Sequence, residues 1–267
     1  MEFRTKVVID PSEWKIEPFA GILFVGSCFA DNMGKRFSEE KFRTVVNPFG
    51  VMYNPVSILH TVERLGQKSE ISVFTLGTNH VYREKATGEI VDNCQKRPAN
   101  LFVEEELTVE ECAESLGRAV DMVDGKVIVT VSPIRYRKYG YHGSMVSKAT
   151  LMLAAERLTR ERPGQVDYFP AYEILNDELR DYRFYQPDML HPSAQAVEYI
   201  YERFAETYFS DATRRFIAEW KPIKEALGHR PFNPDSEEYK AFLRNVREKA
   251  AALKRRYPGL EDDILNR

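Results

Sequence analysis

A chain of 267 residues, 43% hydrophobic and 30% charged, is long enough for one large core and too ordinary in composition for a disordered, fibrous or repeat protein. Its 38 basic and 41 acidic residues leave a formal charge of -3, so nothing draws the whole molecule to a polyanion and no nucleic-acid partner is expected. Three widely spaced cysteines, Cys28, Cys94 and Cys112, imply neither a disulfide framework nor a metal site. The N-terminus carries no apolar leader segment and no window approaches a membrane span, so a cytoplasmic protein without a membrane partner is expected.

In chain order, Gly21-Ile-Leu-Phe-Val25 is an unbroken apolar run, which suits a strand covered on both faces of a parallel sheet. It ends at Gly26-Ser27, and a helix is predicted over Asp31 to Phe42. Thr44–Val46 reads as a short strand closed by Asn47-Pro-Phe-Gly50, and Asn54-Pro55 opens a helix to about Leu65. From residue 71 to 93 the period shortens, and this stretch reads as a β-rich insertion with a turn at Glu84-Lys-Ala-Thr-Gly88. Thr108-Val-Glu-Glu111 has the form of a capping box, opening a helix with apolar positions at Cys112, Leu116, Ala119, Val120 and Val123.

Val127–Val131 is the clearest central strand, and it runs into Ser132-Pro-Ile-Arg135. A loop follows, with a helix from about Val146 to Leu158. Val166–Phe169 reads as a further strand, Tyr172–Leu179 as helix, and Asp181–His191 as an irregular aromatic-rich segment. Pro192 suits the first position of a helix whose apolar stripe is Ala196, Ile200, Phe204 and Tyr208. Strands alternating with crossover-length helices indicate an α/β domain over 1–209 with helices on both faces of a mainly parallel sheet. Residues 210–267 read as a helical extension broken at Pro222 and at Pro231–Pro234.

Sites in open α/β sheets form beyond the carboxyl ends of the strands. Ser27 is placed there as a nucleophile, because a hydroxyl on a rigid strand end needs only an adjacent base and nearby helix amides for an oxyanion. The same placement suits a plain helix cap. Cys28 competes for the nucleophile role as the more nucleophilic group, but its apolar neighbours Val25 and Phe29 favour a packing role. Asp188 and His191, two residues apart in a proline-flanked turn, can set a carboxylate on one imidazole nitrogen while the other faces a nucleophile; the alternative is a helix-start motif. Asn47, Asn54 and Gly50 are turn formers that can also serve an oxyanion hole. Arg135 can orient an anionic or carbonyl-bearing group, or pair with an acidic loop residue. His142, between two glycines, is a loop residue rather than a base.

The segments Gly26-Ser-Cys-Phe-Ala30, Asn47-Pro-Phe-Gly50 with Asn54-Pro55, and Thr130-Val-Ser-Pro-Ile-Arg135 resemble the successive motifs of the GSCFA family. His142-Gly-Ser-Met-Val-Ser-Lys-Ala-Thr-Leu151, Tyr168-Phe-Pro-Ala-Tyr-Glu173, Asp177–Tyr185 and Asp188-Met-Leu-His-Pro192 continue the resemblance, which spans about residues 20–210. That family is bacterial and similar to the SGNH/GDSL hydrolases. The resemblance therefore implies a three-layer α/β/α sandwich with Ser27 as nucleophile, Asp188 and His191 as acid and base, and Gly50 as the oxyanion glycine. The Gly-x-Asn-Asp block of typical SGNH enzymes is replaced here by Ser132-Pro-Ile-Arg135, which leaves Asn47, Asn54 or Arg135 to stand in. Ser144-Met145 replaces an expected amide pair beside His142, in a region expected to line the pocket. The implied activity is hydrolysis of a small-molecule or carbohydrate ester without cofactor or metal. The same residues suit an O-acyltransferase, and a non-catalytic domain that binds a glycan or a protein is the rival from another class.

Overall fold

The computed structural model describes residues 3–66, 68–94 and 97–261. Five strands form one parallel sheet: β1 (Gly21–Gly26), β2 (Arg43–Val46), β3 (Ile71–Leu76), β7 (Lys126–Val131) and β8 (Val166–Tyr168), in the order β2-β1-β3-β7-β8. Every pairing is parallel, with Ile22 beside Ile71 and Ile71 beside Lys126. Side chains alternate between the faces, as strand geometry requires. Leu23, Val25, Phe74, Leu76, Val127, Val129 and Val131 join one core cluster, with α2 (Pro55–Leu65), α3 (Val109–Met122) and α4 (Gly140–Glu161). Ile22, Phe24, Ile71, Val73 and Ile128 point the other way, against α1 (Cys28–Glu39) and α6 (Ala194–Tyr208). The result is the expected three-layer α/β/α architecture.

Ile71–Leu76 differs from its expected place. All six of its residues are buried, and it is the middle strand of the main sheet rather than the start of the insertion. Ser72 and Thr75, both fully buried and on opposite faces of the strand, interrupt the unbroken apolar run that marks the other central strands. The insertion lies further on, as a separate sheet of β4 (His80–Glu84), β5 (Ile90–Val91) and β6 (Phe102–Glu106) in the antiparallel order β5-β4-β6.

Helix boundaries moved for identifiable reasons. The first helix begins at Cys28, three residues early, because Ser27 itself caps it. Helix α4 begins at Gly140 rather than about Val146, so His142 and Gly143 lie in its first turn. Pro192 stays outside α6, which Ser193 caps. It is bridged instead to Tyr185. The capping box at Thr108 and Glu111 is formed as expected. After β8, the short helix α5 (Ala171–Glu173) continues in π geometry to Leu179.

Beyond α6 lie α7 (Asp211–Leu227) and α8 (Glu237–Arg256), which share a small core of Phe216, Trp220, Ile223, Val246, Ala250 and Leu253. Pro222 does not break the chain but lies inside α7. The pair is fixed to the end of α1 by Trp220 Nε1 donating to the Glu39 carbonyl at 2.8 Å and Lys224 Nζ donating to Glu40 Oε1 at 2.6 Å. Among the described residues no helix is long and apolar enough to cross a membrane.

Candidate active site

At the carboxyl end of β1 the chain turns through Gly26 at φ 143°, where an added Cβ would stand 2.2 Å from the Thr75 carbonyl oxygen. Only glycine permits that approach. The Ser27 amide then donates to the same carbonyl at 3.1 Å, extending the β1–β3 ladder by one bond. Ser27 Oγ turns inward: it accepts from the Phe29 amide at 3.2 Å as the cap of α1 and lies 3.2 Å from Thr75 Oγ1. Ser27 stands at the strand end as expected, yet it is 0% exposed. Cys28, the next residue, is partly exposed at the first position of α1. Its thiol lies 4.0 Å from the Tyr53 hydroxyl. Burial pushes the thiol pKa up, Tyr53 opposes that, and the Asp31 carboxylate adds to it. The Cys28 amide has no backbone acceptor among the described residues, as is usual for the first turn of a helix, and its interaction with its own thiol works against the rise in the thiol pKa.

The loop over residues 47–54 crosses this edge of the sheet. The Asn47 side chain bonds at both ends, Oδ1 accepting from the Gly26 amide at 2.9 Å and Nδ2 donating to Asp31 Oδ1 at 2.6 Å. It fixes the β1–α1 turn rather than facing a substrate. The Gly50 amide donates to the Asn47 carbonyl at 2.8 Å, so it closes a turn and is not available to an oxyanion in this arrangement. Met52 donates to the Gly26 carbonyl, and the Tyr53 carbonyl accepts from both Gly77 and Thr78. Asn54 caps α2 through Oδ1, while its Nδ2 has no partner among the described residues.

Asp188 and His191 come together. Asp188 Oδ1 accepts from the amides of Leu190 at 2.8 Å and His191 at 3.0 Å, and Oδ2 lies 2.6 Å from His191 Nδ1. The two backbone donors, with the imidazole, hold the Asp188 carboxyl down at about 2. Both side chains are partly exposed, and Nε2 of His191 is left without a partner among the described residues. This loop is tethered to the strand ends by Arg135, whose amide donates to the Leu190 carbonyl at 3.0 Å and whose Nη1 donates to the Met189 carbonyl at 3.0 Å. The guanidinium lies over the rings of Tyr141, Tyr185 and Tyr182 at 4.4, 5.4 and 5.7 Å. Arg135 thus braces the histidine loop, with an aromatic surface beside it. His142 is exposed on the first turn of α4. No hydrogen bond joins Ser27 to His191 among the described residues.

Sequence reasoning missed Lys148. This lysine is 1% exposed and donates to the carbonyls of Gly77 at 2.7 Å and Ser132 at 2.8 Å, joining the ends of β3 and β7. Desolvation pushes its pKa down to about 7. The available signal was its position in the buried stripe Ser144, Ser147, Leu151, Ala155 and Leu158 of α4, where a lysine has no place unless it is bonded. Tyr136 was also missed. Its hydroxyl is buried without a hydrogen-bond partner among the described residues, and its ring packs edge-on to Tyr53 at 6.1 Å. Burial raises its pKa, and nearby Tyr53 and Cys28 add to the shift.

A family profile described as the GSCFA family matches residues 21–72 and 60–204, and a second, described as the C-terminal domain of GSCFA domain proteins, matches residues 220–263. No curated protein sequence matches. Among solved structures, the chain is similar to the acetylxylan esterase Axe2 from Geobacillus stearothermophilus at 12% identity and a TM-score of 0.44, covering 72% of this chain and 95% of that one. It is similar to a carbohydrate esterase family 3 protein from Talaromyces cellulolyticus at 9% identity and TM-score 0.42, covering 75% and 99%. An α/β hydrolase enzyme from the metagenome of Lake Arreo, Spain, matches at 14% identity and TM-score 0.43, covering 75% and 98%.

Proposed function

The chain belongs to the GSCFA family, and on that premise we propose that it is an acyl-ester hydrolase working at the carboxyl edge of its parallel sheet. His191 is the general base, Asp188 orients it, and the nucleophile comes from the turn between β1 and α1, where the family resemblance assigns Ser27. One observation carries the reading: the Asp188 carboxylate occupies Nδ1 of His191 and is itself fixed by two backbone amides, which leaves Nε2 free to take a proton. A carboxylate held ionised down to about pH 2 stabilises the imidazolium wherever the histidine titrates.

In this mechanism His191 removes the proton of the nucleophile as it attacks an ester carbonyl. The tetrahedral oxyanion meets the Cys28 amide at the start of α1, which has no backbone acceptor among the described residues, and the Nδ2 of Asn54. Collapse expels the alcohol, which receives its proton from His191, and water then releases the acid by the same steps in reverse order. The preferred substrate is a sugar carrying a small O-acyl group, with Tyr182 and Tyr141 exposed beside Arg135 as stacking surfaces.

The enclosure of Ser27 favours a second reading, a non-catalytic domain that binds a glycan or protein. The two separate in one assay. Release of p-nitrophenol from p-nitrophenyl acetate and of acetate from acetylated xylo-oligosaccharides is measured for the wild type, His191→Ala and Asp188→Asn. Catalysis predicts turnover that collapses in His191→Ala. Turnover equal in both, or absent in the wild type, supports the binding reading.

A further inference from the structure

We propose that the attacking atom of this hydrolase is the Sγ of Cys28, and that Ser27 is the positioning residue that holds it there. This inference rests on the acyl-transfer reading above and names its nucleophile. Its first ground is that the Ser27 hydroxyl is already used. Oγ caps the Phe29 amide and touches Thr75 Oγ1, with no exposed surface, whereas an attacking atom must come within about 3–3.5 Å of a substrate carbonyl. For Ser27 to do so, the cap of α1 would have to open. Cys28 needs no such movement, being partly exposed at the first position of the 12-residue helix that Ser27 caps.

The second ground is what surrounds the thiol. Its own amide has no backbone acceptor among the described residues and interacts with the thiol itself, and it opens a helix whose first-turn N–H groups favour a developing negative charge. The Tyr53 hydroxyl lies 4.0 Å from Sγ. Tyr136, packed on the same apolar cluster as Cys28, keeps a buried hydroxyl with no partner among the described residues. A polar group left unpaired in such a place is costly, and a substrate oxygen would satisfy it. The oxyanion environment is therefore assembled around residue 28.

The third ground is the route of the histidine loop. On one side Arg135, the residue before Tyr136, binds the carbonyls of Met189 and Leu190. On the other, Pro192 shares a groove with Asn32, which stands one helical turn after Cys28 on the same face of α1. His191 lies in the chain between these two anchors, one at Arg135 and one beside α1, and this carries its loop toward the end of the helix that Cys28 begins. Burial and Asp31 keep the thiol protonated at rest, so this cysteine depends on its base and is not a standing thiolate.

His191 Nε2 takes the thiol proton as Sγ bonds to the ester carbonyl carbon, and the carbonyl π pair moves onto oxygen. The oxyanion re-forms the double bond, the carbon–alkoxy bond breaks, and the imidazolium proton passes to the departing alcohol, leaving a thioester. Water, deprotonated by His191, adds to that thioester, Sγ leaves, and the thiol is regenerated with the carboxylic acid as product.

The test uses the full chain with p-nitrophenyl acetate. Turnover is followed for the wild type, Cys28→Ala, Cys28→Ser and Ser27→Ala, each checked for folding by circular dichroism. The quenched wild-type acyl-enzyme is also treated with neutral hydroxylamine, which cleaves thioesters rapidly and oxygen esters slowly. Cys28→Ala is expected to lose at least about a thousandfold in kcat/KM. Ser27→Ala is expected to remain active at reduced stability, and the acyl group is expected to leave rapidly with hydroxylamine. Folded Ser27→Ala without activity, beside an active Cys28→Ala, overturns the assignment while leaving the hydrolase reading intact. A hydroxylamine-resistant adduct does the same. A wild type that neither turns over nor acylates overturns both.

Discussion

The two ends of the central sheet are built from opposite materials. At the amino end, Glu70 accepts from the Gly21 amide and pairs with Arg43 at 2.9 Å, both side chains largely exposed. Lys126 reaches the Gly164 carbonyl in the same solvent-facing layer. At the carboxyl end, Ser27, Thr75, Thr78, Asn79, Ser132 and Lys148 are all buried, and Ser132 Oγ, Asn79 Oδ1 and Tyr136 Oη have no hydrogen-bond partner among the described residues. Exposed pairs contribute little and can be exchanged freely. Buried polar atoms left unpaired cost stability; others of this kind lie around α6 and α7, as at Tyr201 and Glu219, but those at the carboxyl edge stand beside the proposed site.

The comparison breaks most visibly at the histidine. His191→Ala is expected to lower kcat/KM by about 10²–10⁴-fold, and Asp188→Asn by a similar order, in the p-nitrophenyl acetate assay. Because the Asp188 carboxyl is held at about 2, its stabilising contribution is complete above the ordinary carboxylate range and is lost only as pH falls toward 2. An acid limb in the wild-type rate profile above pH 4 therefore does not belong to Asp188. Asp188→Asn should reduce the amplitude of that profile without removing the limb.

Lys148 sharpens the comparison through stability. Its folded pKa, about 7, lies below the ordinary value of 10.5, so between these pH values the unfolded chain binds the extra proton. Stability then rises with pH, by at most about 1.4 kcal/mol per unit from this group. Lys148→Met leaves the Gly77 and Ser132 carbonyls without their donor, at a cost of about 1–3 kcal/mol. Urea unfolding of both proteins from pH 7 to 10 should show the wild-type advantage widening with pH. An advantage that narrows contradicts the depressed pKa.

Smaller effects complete the series. Ser27→Ala removes the cap of α1 and should cost about 1 kcal/mol, read as a Tm lower by a few degrees. At the opposite end of the sheet, Arg43→Ala should change stability by less than about 0.5 kcal/mol and leave hydrolysis untouched. An Arg43 effect as large as that of Lys148 would erase the distinction between the two edges.

Much of the architecture was legible because burial on both faces writes itself as unbroken apolar runs, as in Gly21–Val25 and Val127–Val131. Ile71–Leu76 escaped because its buried Ser72 and Thr75 break the apolar run, and only tertiary pairing shows that both are covered. The Asp188–His191 pair was readable because both partners lie within one turn of chain. The state of Ser27 was not. Strand end, helix cap and nucleophile share one local sequence, and which atom faces outward depends on Thr75, 48 residues away. The bond of the Gly50 amide was not legible for a related reason, since it closes a turn on the Asn47 carbonyl.

The central claim is that acyl transfer begins on the β1–α1 turn and depends on His191. Rapid-quench mass spectrometry of the proteolytic peptide containing Gly26 to Cys28, after mixing with p-nitrophenyl acetate, tests it most directly. The account predicts one acetyl group on that peptide, formed within a turnover by the wild type and lost from His191→Ala. An acetylated peptide elsewhere in the chain, or equal labelling of both proteins, would contradict it.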